Sequence, residues 1–218
     1  SDIANAYGPN VHDPRSGEII ESHIGWYHNV MNLLRNWFFI QTAAVNPEAR
    51  GVNFREETMG RLIRFVSSHE VGHTLGLPHN FASSHAYPVD SLRSATFTKE
   101  FGTAPSIMDY ARFNYIAQPG DANVSLMPDV GPYDKYSIAW GYRPILEAKT
   151  PEEEQPTLDK WILAKQGDPV YRFGRQGNSY DPSSQSEDLG DDAMKASDYG
   201  IKNLKRNISD FDLGWIGN

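Results

Sequence analysis

An α+β fold is predicted for this chain by three observations. A turn cluster near the start is followed by a short alternating segment, the pattern of a hairpin strand. Two longer stretches, residues 28–45 and 55–75, carry apolar residues at helical spacing. Beyond Pro78 the chain is broken by Ser, Pro and Gly up to residue 132, with little regular structure expected there.

The elements follow in order. Asp13-Pro14-Arg15-Ser16-Gly17 reads as a tight turn between extended segments. On the strand after it, Ile20, Ser22, Ile24 and Trp26 share one side, while Ile19, Glu21, His23 and Tyr27 share the other. Val30, Met31, Leu33, Leu34, Trp37, Phe38 and Ile40 mark a mostly buried helix that Asn46-Pro47 ends. A second helix starts near Arg55 to Thr58, with Glu56 and Glu57 in its first turn, and stops at Gly76. Gly131-Pro132 leads into a helix from Tyr133 to Trp140, ended by Gly141. Residues 147–157 read as an exposed linker, Tyr171 to Asp192 as irregular, and Asp192 to Ile208 as a last helix. The expected division is a core over residues 1–146 and an extension over 147–218 packed on it.

Composition removes several classes of function. The formal charge is −8, which argues against a phosphate-tracking nucleic-acid binder. No apolar run approaches the ~20 residues of a membrane-spanning helix. There is no cysteine, so disulfides, thiol catalysis and thiolate-held zinc are excluded.

One stretch carries chemistry: His69-Glu70-Val71-Gly72-His73-Thr74-Leu75-Gly76-Leu77-Pro78-His79. Five fixed positions of this kind arise by chance, from composition alone, at roughly 3 in 10⁵. His69 and His73 are four apart and share a helix face. Glu70 lies about 100° round the helix from His69, beside a shared ion rather than necessarily on it, where it can take a proton from water. Gly76 tolerates the positive φ that turns the chain out of the helix, so His79 can swing back. Three histidines leave one position of a zinc ion open, the catalytic arrangement.

With Ser106-Ile107-Met108-Asp109-Tyr110 downstream, the sequence resembles the metzincin metalloproteases. The resemblance implies a zincin-like catalytic domain, with His69, His73 and His79 as zinc ligands and Glu70 as general base. Met108 matches the methionine of the turn beneath the metal, and Tyr110 sits where some metzincins carry a tyrosine that stabilises the oxyanion; the other reading of Tyr110 is packing alone. Asp13 to Ile19, Pro78 to Phe81 and Gly131 to Tyr142 are similar to a bacterial group of large zinc-dependent metalloproteases with a Met-zincin catalytic region. By that resemblance Ser22, His23, Ile24, Gly25 and Trp26 belong to an edge strand that pairs with a peptide or protein substrate, against the alternative of a hairpin edge with no ligand.

The expected function is zinc-dependent peptide-bond hydrolysis, with a zinc-bearing but non-hydrolytic binding module as the alternative. Only 68 residues precede His69 and they hold one hairpin and one helix, so the N-terminal sheet reads as incomplete. Covalent linkage to upstream domains is expected, as is a periplasmic, cell-envelope or secreted location from the resemblance. The acidic run Glu187-Asp188 and Asp191-Asp192 leaves two readings, a calcium site or N-capping of the last helix by Asp191 or Asp192. His12, His23, His28 and His85 read as surface or capping residues, and Glu152 to Glu154 as a solvated face.

Overall fold

The N-terminal turn is built by Asp13. Its carboxylate accepts the backbone N–H of Arg15 (2.9 Å), and Gly17 takes a φ of +75° to close the bend. In the computed structural model, which describes residues 2–175 and 180–211, this turn joins two antiparallel ribbons. β2 (Asn10–His12) pairs with β3 (Ile19–Ser22), and β1 (Ala6–Tyr7) pairs with β4 (Gly25–Trp26). Together they form one hairpin whose pairing is interrupted at its middle. The strand expected over 19–27 is therefore two, interrupted at His23-Ile24. Opposite that gap lies Gly8-Pro9; Pro9 has no N–H to give to the ladder, and Gly8 lies against the backbone of Glu70.

α1 (Val30–Thr42) buries Val30, Leu34, Phe38 and Thr42, one residue per turn. α2 (Glu56–Thr74) buries Leu62, Phe65, His69, Glu70 and Gly72 on the face turned inward. The two helices share a core of Leu34, Phe38, Leu62, Phe65, Met108 and Phe113, in which the Phe38 and Phe113 rings meet edge to face at 5.1 Å.

Residues 80–131 are mostly irregular, as expected, yet they are ordered by a second core of Tyr87, Val89, Leu92, Ile116, Leu189 and Ala196. They also contain one helix not anticipated, α3 (Ala95–Phe101), whose start is capped by the Ser94 hydroxyl on the Phe97 N–H (3.3 Å). α4 (Pro132–Tyr142) runs through Gly141 rather than stopping there. Tyr142 anchors the two added residues by donating its hydroxyl to the Leu75 carbonyl (2.8 Å).

The expected linker over 147–157 is replaced by α5 (Pro151–Leu163). Thr150 caps it, Pro151 occupies the first helical position, and Glu152 to Glu154 fill the first turn, where the helix dipole favours acids. Pro156 inside the helix disguised these start signals. The irregular stretch expected over 171–192 is irregular where described; residues 176–179 lie outside the described residues. α6 (Ala193–Phe211) begins as expected at Asp192, whose carboxylate caps it by accepting the Lys195 N–H (3.0 Å), and it packs against α1. The architecture is α+β, with six helices and two two-stranded ribbons among the described residues.

Candidate metal centre

α2 carries the first two histidines on its inward face, one turn apart. The helix ends as the motif requires. Gly76 takes a φ of +89°, its N–H reaches the His73 carbonyl (2.9 Å), and the Leu77 N–H folds back to the Gly72 carbonyl (3.0 Å). The chain then returns His79 to the helix. His79 Nε2 lies 3.2 Å from His69 Nε2 and 3.1 Å from His73 Nε2.

These separations suit a shared cation. With metal–nitrogen bonds of about 2.05 Å they correspond to ligand–metal–ligand angles of about 100°, near tetrahedral. The tautomers agree as well: His69 Nδ1 is 2.7 Å from the Ile107 carbonyl and His73 Nδ1 is 2.8 Å from the Leu77 carbonyl. Each of those nitrogens then carries the proton, which leaves the Nε2 lone pair free to bind metal. Burial pushes the His69 pKa down to about 3, so this ring is neutral at physiological pH. Among the described residues, these three form the one cluster of histidine and carboxylate ligands able to hold an ion; His12, His23, His28 and His85 stay outside it.

The floor of the site is the turn at 106–110. Met108 is fully buried, and its sulfur lies 2.2 Å from where a Cβ on Gly72 would stand, so the turn packs directly on the bare backbone of α2. The Asn80 N–H donates to the Met108 carbonyl (3.1 Å), which ties the residue after the third histidine to the same turn. Asn80 is itself buried; its amide donates to the Arg172 carbonyl (2.9 Å) and accepts from the Gly174 N–H (2.9 Å). Asp134 secures the turn from below. Its carboxylate accepts the Ser106 hydroxyl (2.5 Å), the Ile107 N–H (2.8 Å) and the Gly131 N–H (2.8 Å), joining the turn to the start of α4. Sequence reasoning did not single out Asp134, although an acid three residues after Gly131, with Pro132 between, is a helix-start signal.

Glu70 is 6% exposed, and burial raises its pKa. It borders a cavity of about 280 Å³ together with His69, Tyr110, Leu33, Trp37 and Arg112. Tyr110 is brought to the histidines, its ring 4.6 Å from that of His79 and 5.4 Å from that of His69. Two residues not anticipated pack on these rings. Phe81 stacks on His79 at 5.1 Å. The Arg112 guanidinium lies between the rings of Trp37 (3.9 Å) and Tyr110 (4.7 Å) and pairs with Glu187.

The hairpin sits over α2. Gly8 touches the Glu70 carbonyl, with a would-be Cβ 2.3 Å away, and the Asn10 amide donates to the His73 carbonyl (3.1 Å). Of the edge-strand residues, Ser22 ends β3, Gly25 and Trp26 form β4, and His23 and Ile24 occupy the break. The acidic run acts through hydrogen bonds. Asp188 accepts the Ser84 hydroxyl, Asp191 the Val89 N–H, and Asp192 caps α6.

No helix of the described residues is long and apolar enough to cross a membrane. The family model DUF4953, Met-zincin, matches residues 51–215. No curated protein matches the chain. No solved structure matches it either.

Proposed function

Because the chain belongs to the Met-zincin family, we propose that it is a zinc-dependent endopeptidase. The observation that carries this reading is the return of the His79 Nε2 atom to within 3.2 Å of His69 Nε2 and 3.1 Å of His73 Nε2, both on a helix that also presents Glu70. Zinc in such a site supplies a Lewis acid that acidifies water and polarises the scissile carbonyl. His69, His73 and His79 hold the ion. Glu70, in surroundings that raise its proton affinity, takes the proton of the attacking water and passes it to the leaving amine nitrogen. The Tyr110 phenol donates a hydrogen bond to the oxygen of the tetrahedral intermediate. Met108 keeps the helix and the third histidine in register.

The substrate is a peptide or protein segment. Ser22 to Trp26 offer backbone groups to an extended chain, and the apolar wall of Leu33 and Trp37 beside Glu70 accepts one of its large apolar side chains. The test combines hydrolysis of unstructured protein with metal analysis. Chelation is expected to abolish cleavage, and Glu70→Gln to lower it at least 100-fold with zinc retained. Undiminished cleavage by zinc-loaded Glu70→Gln overturns the catalytic assignment. Zinc binding by the native chain without cleavage of any substrate favours the non-hydrolytic module.

A further inference from the structure

α6 is amphipathic in the reverse sense. Its inward face is small and polar: Ala196 is fully buried, the Asn203 amide donates to the carbonyls of Tyr115 (3.0 Å) and Ala117 (2.8 Å), and the Asn207 amide donates to the carbonyl of Ile40 (3.0 Å). Along its exposed side runs an apolar stripe, bordered by Asp198, Lys202 and Lys205. Met194, Ile201 and Ile208 recur every seven residues and are 86%, 50% and 73% exposed, with Leu204 at 43% beside them. A seven-residue apolar repeat on a helix is the pattern of a seam with another helix. Here it points away from the protein's own core.

We propose that this stripe is the interface of a homodimer in which α6 packs antiparallel against α6 of a second copy. The flanking charges select that occupant and that direction. With Met194, Ile201 and Ile208 as one row of the seam and Leu204 in the other, the positions beside the seam on one flank are Asp198 and Lys205. Antiparallel alignment about a two-fold axis near residues 202–203 sets Ile201 against the partner's Leu204. It also brings Asp198, which pairs within its own helix with Lys202 (2.6 Å), to within two residues of level with the partner's Lys205, twice over. An acid and a base exchanged by the symmetry make the helix complementary to itself. A membrane surface fits less well: Lys202 and Lys205 border the stripe beside Asp198, but the chain as a whole carries a net charge of −8, which anionic lipid repels. The helix is about 28 Å long, from 19 residues at 1.5 Å each. A seam of that size buries area at the low end for specific interfaces, so a dissociation constant on the order of 10 µM is expected.

The experiment is sedimentation velocity on the whole chain from about 1 to about 200 µM, a range that spans the expected constant. The native protein is expected to pass from 24.5 kDa to twice that mass. Ile201→Glu is expected to stay monomeric throughout with an unchanged circular dichroism spectrum. Asp198→Lys is expected to weaken association at least tenfold, and Asp198→Lys/Lys205→Asp to restore it, since only the antiparallel pairing brings those positions together between copies. A native chain that remains monomeric overturns the proposal, whether or not it binds phosphatidylserine vesicles. So does a dimer indifferent to Ile201→Glu, or a charge swap that fails to restore association.

Discussion

The contact between Gly72 and Met108 makes a prediction whose sign separates two effects. Gly72 lies inside α2, between Glu70 and His73, where alanine is ordinarily the better residue by about 1 kcal/mol. On helix propensity alone, Gly72→Ala stabilises the protein. The new Cβ, however, would stand 2.2 Å from the Met108 sulfur, against an ordinary contact of about 3.7 Å. Met108 would have to withdraw by about 1.5 Å, and it is fully buried, with its backbone held by Ser106 and Asn80. Overpacking of this kind costs about 1–3 kcal/mol, which exceeds or cancels the helix gain. The expected net is a loss of about 0–2 kcal/mol, or up to about 8 °C in Tm for a chain of this length. Zinc affinity should fall as well, because moving Met108 shifts Asn80 and with it His79. The assay is thermal unfolding with and without zinc, alongside a zinc titration. A double-mutant cycle with Met108→Ala isolates the contact: that change alone leaves a cavity worth about 2–5 kcal/mol, and the double variant should be less damaged than the sum. The reasoning is refuted if Gly72→Ala is stabilising by about 1 kcal/mol with unaltered zinc affinity, or if the two losses simply add.

Three further outcomes follow from the same structure. Zinc at 100 times its dissociation constant should stabilise the fold by about 2.7 kcal/mol, and chelation should remove that increment; an unchanged Tm on chelation contradicts a resident ion. Gly8→Ala sets a Cβ 2.3 Å from the Glu70 carbonyl, which is helix backbone and cannot yield, so the hairpin should lift from α2; faster amide hydrogen exchange over residues 6–12 is the readout, and native protection there argues against the contact. Burial pushes the pKa of Asp109 up to about 8, far above its unfolded value near 4. The folded state therefore holds this proton more tightly, and the stability it lends is full below about pH 4 and lost as pH rises towards 8. Asp109→Asn preserves the Oδ acceptor for the Ser84 N–H and should flatten the decline between pH 5 and 8 in urea unfolding; parallel profiles for the two proteins count against it.

What could be seen in the sequence, and what could not, divides along physical lines. The zinc helix, its end at Gly76 and the return of His79 were legible because local rules determine them: a four-residue step, a positive φ, a three-residue reach. The α1 and α2 faces were legible from periodicity. α5 was not, because Pro156 outweighed a sound start at Thr150-Pro151-Glu152; a proline's cost is certain in sequence, while the compensating contacts lie elsewhere in the chain. The break in the hairpin was hidden for a related reason. The segment from Ile19 to Tyr27 carries no proline of its own, and the interruption lies opposite Gly8-Pro9 on the other strand.

The larger gap concerns the supports of the metal site. Asp134 is 26 residues from Met108 in sequence, yet its two oxygens accept three donors that fix the turn beneath the histidines. Asn80 reaches Arg172 and Gly174, more than ninety residues on, and so fastens the third ligand's neighbour to the irregular segment after α5. Neither partnership leaves a spacing pattern, because each joins a loop to a remote element. These bonds also explain how residues 80–131, so poor in regular structure, hold a site to the few tenths of an ångström that metal binding demands. Rigidity there comes from buried side-chain acceptors and donors on loop backbone, where another protein would use a sheet. On this account the precision of the site depends on Asn80, Met108 and Asp134 as much as on the three histidines.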